Sequence, residues 1–273
     1  MKGIRLSTTQ KEILPIVVVS FVSALFAWYL ERLLSGLTTL YFSYDLNIKA
    51  VLHLSGITFF TLTSSPVWTH DAIITINLAA PIMNLFLGLI IMAIFIFSKR
   101  KTQSMTFFML WIMIYSFTGI FGSFVENNLA RTGLYTVSRL MDIGVIFQII
   151  FIVLSLYFLY IMGLAIGKLV MLIIPEKFKQ EDRIKTSFFL IVFVFPWLLV
   201  LAVSFRSLSV STVLTYLLGF IVMLPFNWMQ KPEKRGLHMK MLPGFLQIDV
   251  FSLLVYLFGV LLIHQMLGAG MTL

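Results

Sequence analysis

No cysteine occurs among the 273 residues, which removes disulfides, iron–sulfur clusters and thiolate metal sites. Charge is nearly as scarce, at 11% of residues, where an average soluble domain carries about a quarter. No phosphate-cradling glycine loop, nucleophile elbow, dinucleotide-binding pattern or arginine ladder is present, so no cofactor site is predicted. What remains is 60% apolar, with a mean hydropathy of +1.01. Such a chain cannot cover its own surface in water. A soluble enzyme, a disordered chain and a fibrous protein are all excluded, and an integral membrane protein is left.

A helix needs about 20 apolar residues to cross the hydrocarbon core. Seven stretches qualify: 13–30, 72–98, 105–125, 143–174, 187–205, 208–229 and 248–267. The weakest division is between the fifth and sixth, which only Arg206 and Ser207 separate. The basic start and first apolar run read as a retained first helix, because the run is long and six more follow. Residues 1–273 therefore form one polytopic transmembrane domain.

The net charge of +9 has a pattern. With the N-terminus cytoplasmic, the inner segments are 1–12, 99–104, 175–186 and 230–247, and they hold fourteen Lys and Arg residues. The outer segments hold five: Arg32, Lys49, Arg131, Arg139 and Arg206. That alternation predicts seven spans in a cell inner (cytoplasmic) membrane, N-terminus inside and C-terminus outside. Basic residues placed this way mark orientation, and no nucleic-acid partner is implied. Lys168, near the inner end of the long fourth span, is placed to snorkel to the headgroups.

The outer segment 31–71 carries Ile57-Thr58-Phe59-Phe60-Thr61-Leu62-Thr63, whose alternation has a period near two. It is read either as a short hairpin on the membrane surface or as an irregular interfacial loop anchored by Tyr41, Phe42 and Trp68. The third span ends in Phe117-Thr118-Gly119-Ile120-Phe121-Gly122. The fourth carries Gly163 and Gly167, a GxxxG pair that lets a second helix approach closely, from a partner or from the same bundle. Phe is abundant at 27 residues, which lipid-facing and core packing explain.

Polar side chains inside a span are expensive and hence candidates for function. Glu31 and Arg32 close the first span and are placed at the outer interface. Asn77 and Asn84 lie seven apart on the second, hence on one face, with Pro81 between them. Glu126, Asn127 and Asn128 follow the third. Arg139 and Asp142, spaced i,i+3, can pair at the start of the fourth. Gln247 and Asp249 open the last, where an acid suits a helix N-terminus. Glu31, Asn77, Asn84, Arg139 and Asp142 form the candidate intramembrane polar cluster. His53, His70 and His264 fall on the predicted outer side and His238 inside. Their spacing does not set two ligands on one helical turn, so no metal site is assigned.

The order of features resembles the site-2 protease type of membrane metalloprotease across residues 13–174. In that family a helix bears His-Glu-x-x-His, a β-hairpin follows, the next helix carries Gly-Pro-x-x-Asn, and a later Asp completes the metal site. Here Leu30-Glu31-Arg32-Leu33-Leu34 ends the first span, and Ala80-Pro81-Ile82-Met83-Asn84 is similar to the second element, with Ala for Gly. Asp142 stands where the later Asp would be sought. Both histidines are missing, with Tyr29 or Leu30 and Leu33 or Leu34 in their places. One Glu and one Asp cannot hold a catalytic zinc with an open position. The resemblance thus implies a relative that has lost the chemistry, and it supports no catalytic residue.

The expectation is an all-α membrane bundle of about seven transmembrane helices, with an outer loop or short hairpin after the first. Its expected role is non-catalytic, as a subunit or scaffold among membrane lipids and other membrane-protein subunits. The alternatives are a small-molecule or lipid transporter around Asn77, Asn84, Arg139 and Asp142, or a membrane metallohydrolase.

Overall fold

A computed structural model describes residues 8–62, 64–98, 102–173, 182–204, 210–227 and 249–273. The basic residues Lys2, Arg5, Lys99, Arg100 and Lys101, the Arg206–Ser207 link, the 230–247 segment with His238, Thr63 and most of 175–186 lie outside the described residues.

Helix α1 (Thr8–Asp45) comes first, then strands β1 (Ala50–His53) and β2 (Gly56–Phe59), then α2 (His70–Phe97). Next come α3 (Gln103–Phe117), a π-helical turn (Thr118–Gly122), α4 (Ser123–Ala130) and the short α5 (Leu134–Leu140). The chain continues through α6 (Val145–Ile173), α7 (Asp182–Phe189), a second π turn (Leu190–Val194) and α8 (Phe195–Ser204). It ends with α9 (Val210–Met223), a 3-10 turn (Leu224–Asn227) and α10 (Val250–Ala269).

Among the described residues six helical stretches are long and apolar enough to cross a membrane, and those of the segment predicted as the sixth span hold a shorter apolar helix, Val213–Phe226. Almost every side chain of α3 is buried, and α1 packs on α2, α3, α8 and α10. By contrast α6 exposes Val145, Ile146 and Phe147, and α10 exposes Phe251 and Phe258. Hydrocarbon solvates those faces without cost, so the bundle is built around α1 and α3 with α6 and α10 on its rim.

The largest correction concerns the first helix. It does not end at Leu30: α1 runs fifteen residues further, to Asp45. A hydropathy reading stops at Glu31-Arg32, but a carboxylate facing neighbouring helices is not exposed to lipid. Beyond it, Thr38 donates to the Leu34 carbonyl (2.8 Å), Thr39 to Ser35 (3.1 Å) and Ser43 to Thr39 (2.8 Å). Each hydroxyl is satisfied within its own helix, so polar composition does not break it.

Proline accounts for the second π turn. Pro196 has no N–H for the Val192 carbonyl four residues earlier, and its ring crowds that position. The freed oxygen is not left bare. Ser20 on α1 donates to it (2.6 Å), and the Trp111 indole on α3 donates to Ser20 Oγ (3.0 Å). In hydrocarbon a backbone acceptor must find such a partner inside the protein.

The hairpin exists, but one strand earlier than the alternating run indicates. Ala50 pairs with Phe59 and His53 with Gly56, so residues 57–59 supply only the second strand. Thr61 leaves the ladder and accepts from the Lys49 N–H (2.9 Å) instead. Leu52 also exchanges two backbone hydrogen bonds with Met271 (2.8 and 2.9 Å), which adds one rung from the end of the chain. Gly270 permits that approach. Its φ is +83°, and a Cβ there would meet His53 at 2.8 Å.

Asp249 caps α10 just before the span: its Oδ1 accepts from the Ser252 N–H (3.2 Å) and its Oδ2 from the Ser252 hydroxyl. Those side-chain and backbone bonds from Ser252 favour the ionised form and hold Asp249 below the usual aspartate value. A depressed folded value means that the cap's contribution is present above the unfolded pKa and is lost as pH falls through the folded one. Asp249→Ala should therefore lower the protection of the Ser252 amide against exchange at neutral pH, and the native protein should lose that protection only on strong acidification. Equal protection at neutral pH would show that Asp249 does not cap α10.

Candidate functional site

Three helices meet at Glu31, which is 3% exposed. From α2 the Asn84 amide donates to Glu31 Oε1 (2.8 Å), and from α9 the Tyr216 hydroxyl donates to Oε2 (2.9 Å). Arg32, next along α1, brings its charge beside Glu31 and the Tyr216 hydroxyl. Its Nε donates to the Leu54 carbonyl in the hairpin turn (3.2 Å). A membrane interior makes such an arrangement obligatory, because a lone buried carboxylate is too costly to keep.

The π turn in the third span lets these helices close. A Cβ on Gly119 would lie 2.3 Å from Asn84 Nδ2 and 3.0 Å from Glu31 Oε1. Three residues on, a Cβ on Gly122 would come 3.1 Å from the Thr215 carbonyl of α9. The two glycines therefore let α2 and α9 approach the third span closely. Asn84 Oδ1, the Tyr115 hydroxyl and Thr118 Oγ1 are buried there without a hydrogen-bond partner among the described residues.

Beside the cluster is an open cavity of about 290 Å³, between α1, the hairpin, α2 and the π turn. Arg32, Ser35, Asn77, Pro81, Gly119 and Ser123 are among the residues that line it. Glu31 is not among them, although its Oε1 lies 3.0 Å from where a Cβ on Gly119 would be.

The predicted polar cluster is thus only partly assembled. Glu31 and Asn84 are in direct contact, and Glu31 is buried rather than at the outer interface. Asn77 keeps its amide on the Ile73 carbonyl (2.8 Å) and faces the cavity instead of the carboxylate. Arg139 and Asp142 do not join them. Both are exposed at the end of α5, where Asp142 is left-handed (φ 52°), and no ion pair among the described residues links them. The separate α5 helix is the reason: the i,i+3 spacing would pair them only if one helix ran through both.

Glu126 is likewise internal, at 4% exposure on α4, and faces Thr215. Asn127 and Asn128 each donate to their own helix, to Ser123 (2.7 Å) and Phe124 (2.6 Å). Gly163 is an intramolecular contact: a Cβ there would lie 2.3 Å from the Val222 carbonyl. Gly167 is buried on the same helix, while Lys168 is exposed. Sequence reasoning missed Tyr216, which passes for an ordinary aromatic in an apolar run. It also missed Gly119, for which the Gly119–Gly122 spacing was the available signal.

The donor set at Glu31 does not fit a metal ion. Asn84 and Tyr216 point hydrogens at the carboxylate, where a cation would need lone pairs. His264 Nδ1 is hydrogen-bonded to the Tyr29 hydroxyl (2.9 Å), and His53 lies under Gly270. Among the described residues no three His, Cys, Asp or Glu side chains gather as a ligand set. The fold defines a multi-pass helical membrane protein. Comparison with protein-family models, curated proteins and solved structures finds no match.

Proposed function

We propose that this chain is a non-catalytic subunit or scaffold of a larger membrane assembly, crossing a cell inner membrane seven times. One observation carries the reading: Glu31, the deeply buried acid of the first helix, has both oxygens occupied by Asn84 and Tyr216. Its role is to fasten α1, α2 and α9, and a carboxylate so engaged is not poised for proton transfer or attack. The short α9 supplies the seventh pass, which the alternating basic segments require if the N-terminus is cytoplasmic.

A kinship with site-2 proteases fits the same geometry. The remnants Glu31 and Asn84, 53 residues apart, meet at 2.8 Å with the hairpin between their helices. Such a relative would keep the clasp after losing both histidines. A second reading, as a small-molecule or lipid transporter, draws on the open cavity beside Asn77.

Gentle solubilisation and affinity purification, followed by quantitative mass spectrometry, tests the assembly. A membrane protein should accompany the chain in near-equal amount and be lost from Asn84→Ala. A chain that purifies alone would overturn the subunit reading, and substrate flux by the purified protein would favour the transporter.

A further inference from the structure

We propose that the cavity beside Glu31 binds an anionic amphiphile, with its phosphate or carboxylate on the Arg32 guanidinium and its apolar part against the hairpin and α2. Arg32 is the one ionisable side chain among the described residues that line the cavity. A guanidinium carries five N–H donors in a planar fork suited to phosphate and carboxylate. The Leu54 carbonyl takes the Nε hydrogen, which fixes the fork at the cavity wall. The group stands just under the hairpin turn, since a Cβ on Gly56 would lie 4.0 Å from Arg32 Nη2.

The neighbouring negative charge does not cancel this preference. Glu31 lies beside Arg32 and weakens its pull on an anion, but it does not line the cavity, so the guanidinium is the charge that an entering ligand faces there. A ligand in the cavity meets Arg32. It also meets Asn77 and Asn127, each of which uses one amide hydrogen on its own helix and keeps the second. Leu52, Ile57, Phe59 and Ile76 supply an apolar wall.

A volume of about 290 Å³ suits a headgroup and the start of an acyl chain rather than a whole lipid. The chemistry serves a phospholipid or a free anion equally, and the test separates them.

The full chain is reconstituted in nanodiscs of phosphatidylcholine with or without phosphatidylglycerol, and retained lipid is counted by native mass spectrometry. Phosphatidylglycerol should be retained in preference to phosphatidylcholine. Arg32→Gln should lower that retention about fivefold or more, the scale of losing a charge-assisted contact. Ala80→Phe, which fills the cavity without touching the charge, should do the same and covers the case in which the Arg32 variant fails to fold. If inorganic phosphate raises the melting temperature of the native protein more than that of either variant, while no lipid is retained, the ligand is a free anion in the same site. Equal retention of both lipids, or retention unchanged in the variants, with no phosphate effect, would overturn the proposal. Retention is read on the chain itself, so the outcome is independent of whether a partner subunit co-purifies.

Discussion

Glu31→Leu should destabilise the purified protein by about 2–4 kcal/mol. The substitution removes the acceptor for both Asn84 and Tyr216, and it strips Arg32 of its nearby opposite charge. An orphaned buried donor costs about 1–3 kcal/mol, although interhelical hydrogen bonds in membranes average nearer 0.6. Leucine also relieves the desolvation of a carboxylate, which offsets part of the loss. The balance still falls on the side of loss, because two donors and a cation remain. Glu31→Gln should cost about half as much, since one oxygen still accepts while its amide group confronts a second donor. Removing all three members together, as Glu31→Leu with Asn84→Leu and Tyr216→Phe, should recover much of the difference, because neither donor is then left unpaired and only the loss of Arg32's opposite charge remains. Unfolding in mixed micelles measures each. A Glu31→Leu protein as stable as the native one would end the description of Glu31 as a clasp.

The second large effect is steric. At Gly163 a Cβ would sit 2.3 Å from the Val222 carbonyl oxygen and 3.0 Å from its carbon. Backbone cannot rotate aside as a side-chain tip can, so α6 must move away from the end of α9. Gly163→Val should cost about 3 kcal/mol, the upper end of ordinary overpacking. Gly268, in α10, has nothing within 4 Å of its virtual Cβ. There alanine should be neutral or improve stability by up to about 1 kcal/mol, through helix propensity alone. Equal stability of Gly163→Val and Gly268→Ala would show that α6 and α9 are not in the close contact described.

Long apolar runs are legible because nothing else competes to explain them. The second span differs from α2 by two residues at most, and the fourth agrees with α6 about as well. Capping is equally local, so Asp249 before α10 acts where its chemistry places it. The end of α1 was not legible, because a charge pair marks a boundary only if lipid surrounds it. Whether Asn84 and Tyr216 surround it instead is decided 53 and 185 residues away. The strand β1, Ala-Val-Leu-His, has no alternation of its own and owes its pairing to β2 and Met271. Asn84 was legible as a helix-face polar group and Tyr216 was not, since tyrosine is common in membrane helices for other reasons.

The bond from Ser20 to the Val192 carbonyl bears on how the chain is made. Helices α1 and α3 emerge from the ribosome well before the segment holding Pro196, so Ser20 and Trp111 are already in the bilayer when that segment arrives. Its open carbonyl then finds a waiting donor instead of lingering in hydrocarbon. A Ser20→Ala chain would present no such receptor. Its cost should fall on biogenesis, as delayed lateral release of the fifth long helix from the insertion machinery and faster clearance by membrane quality control.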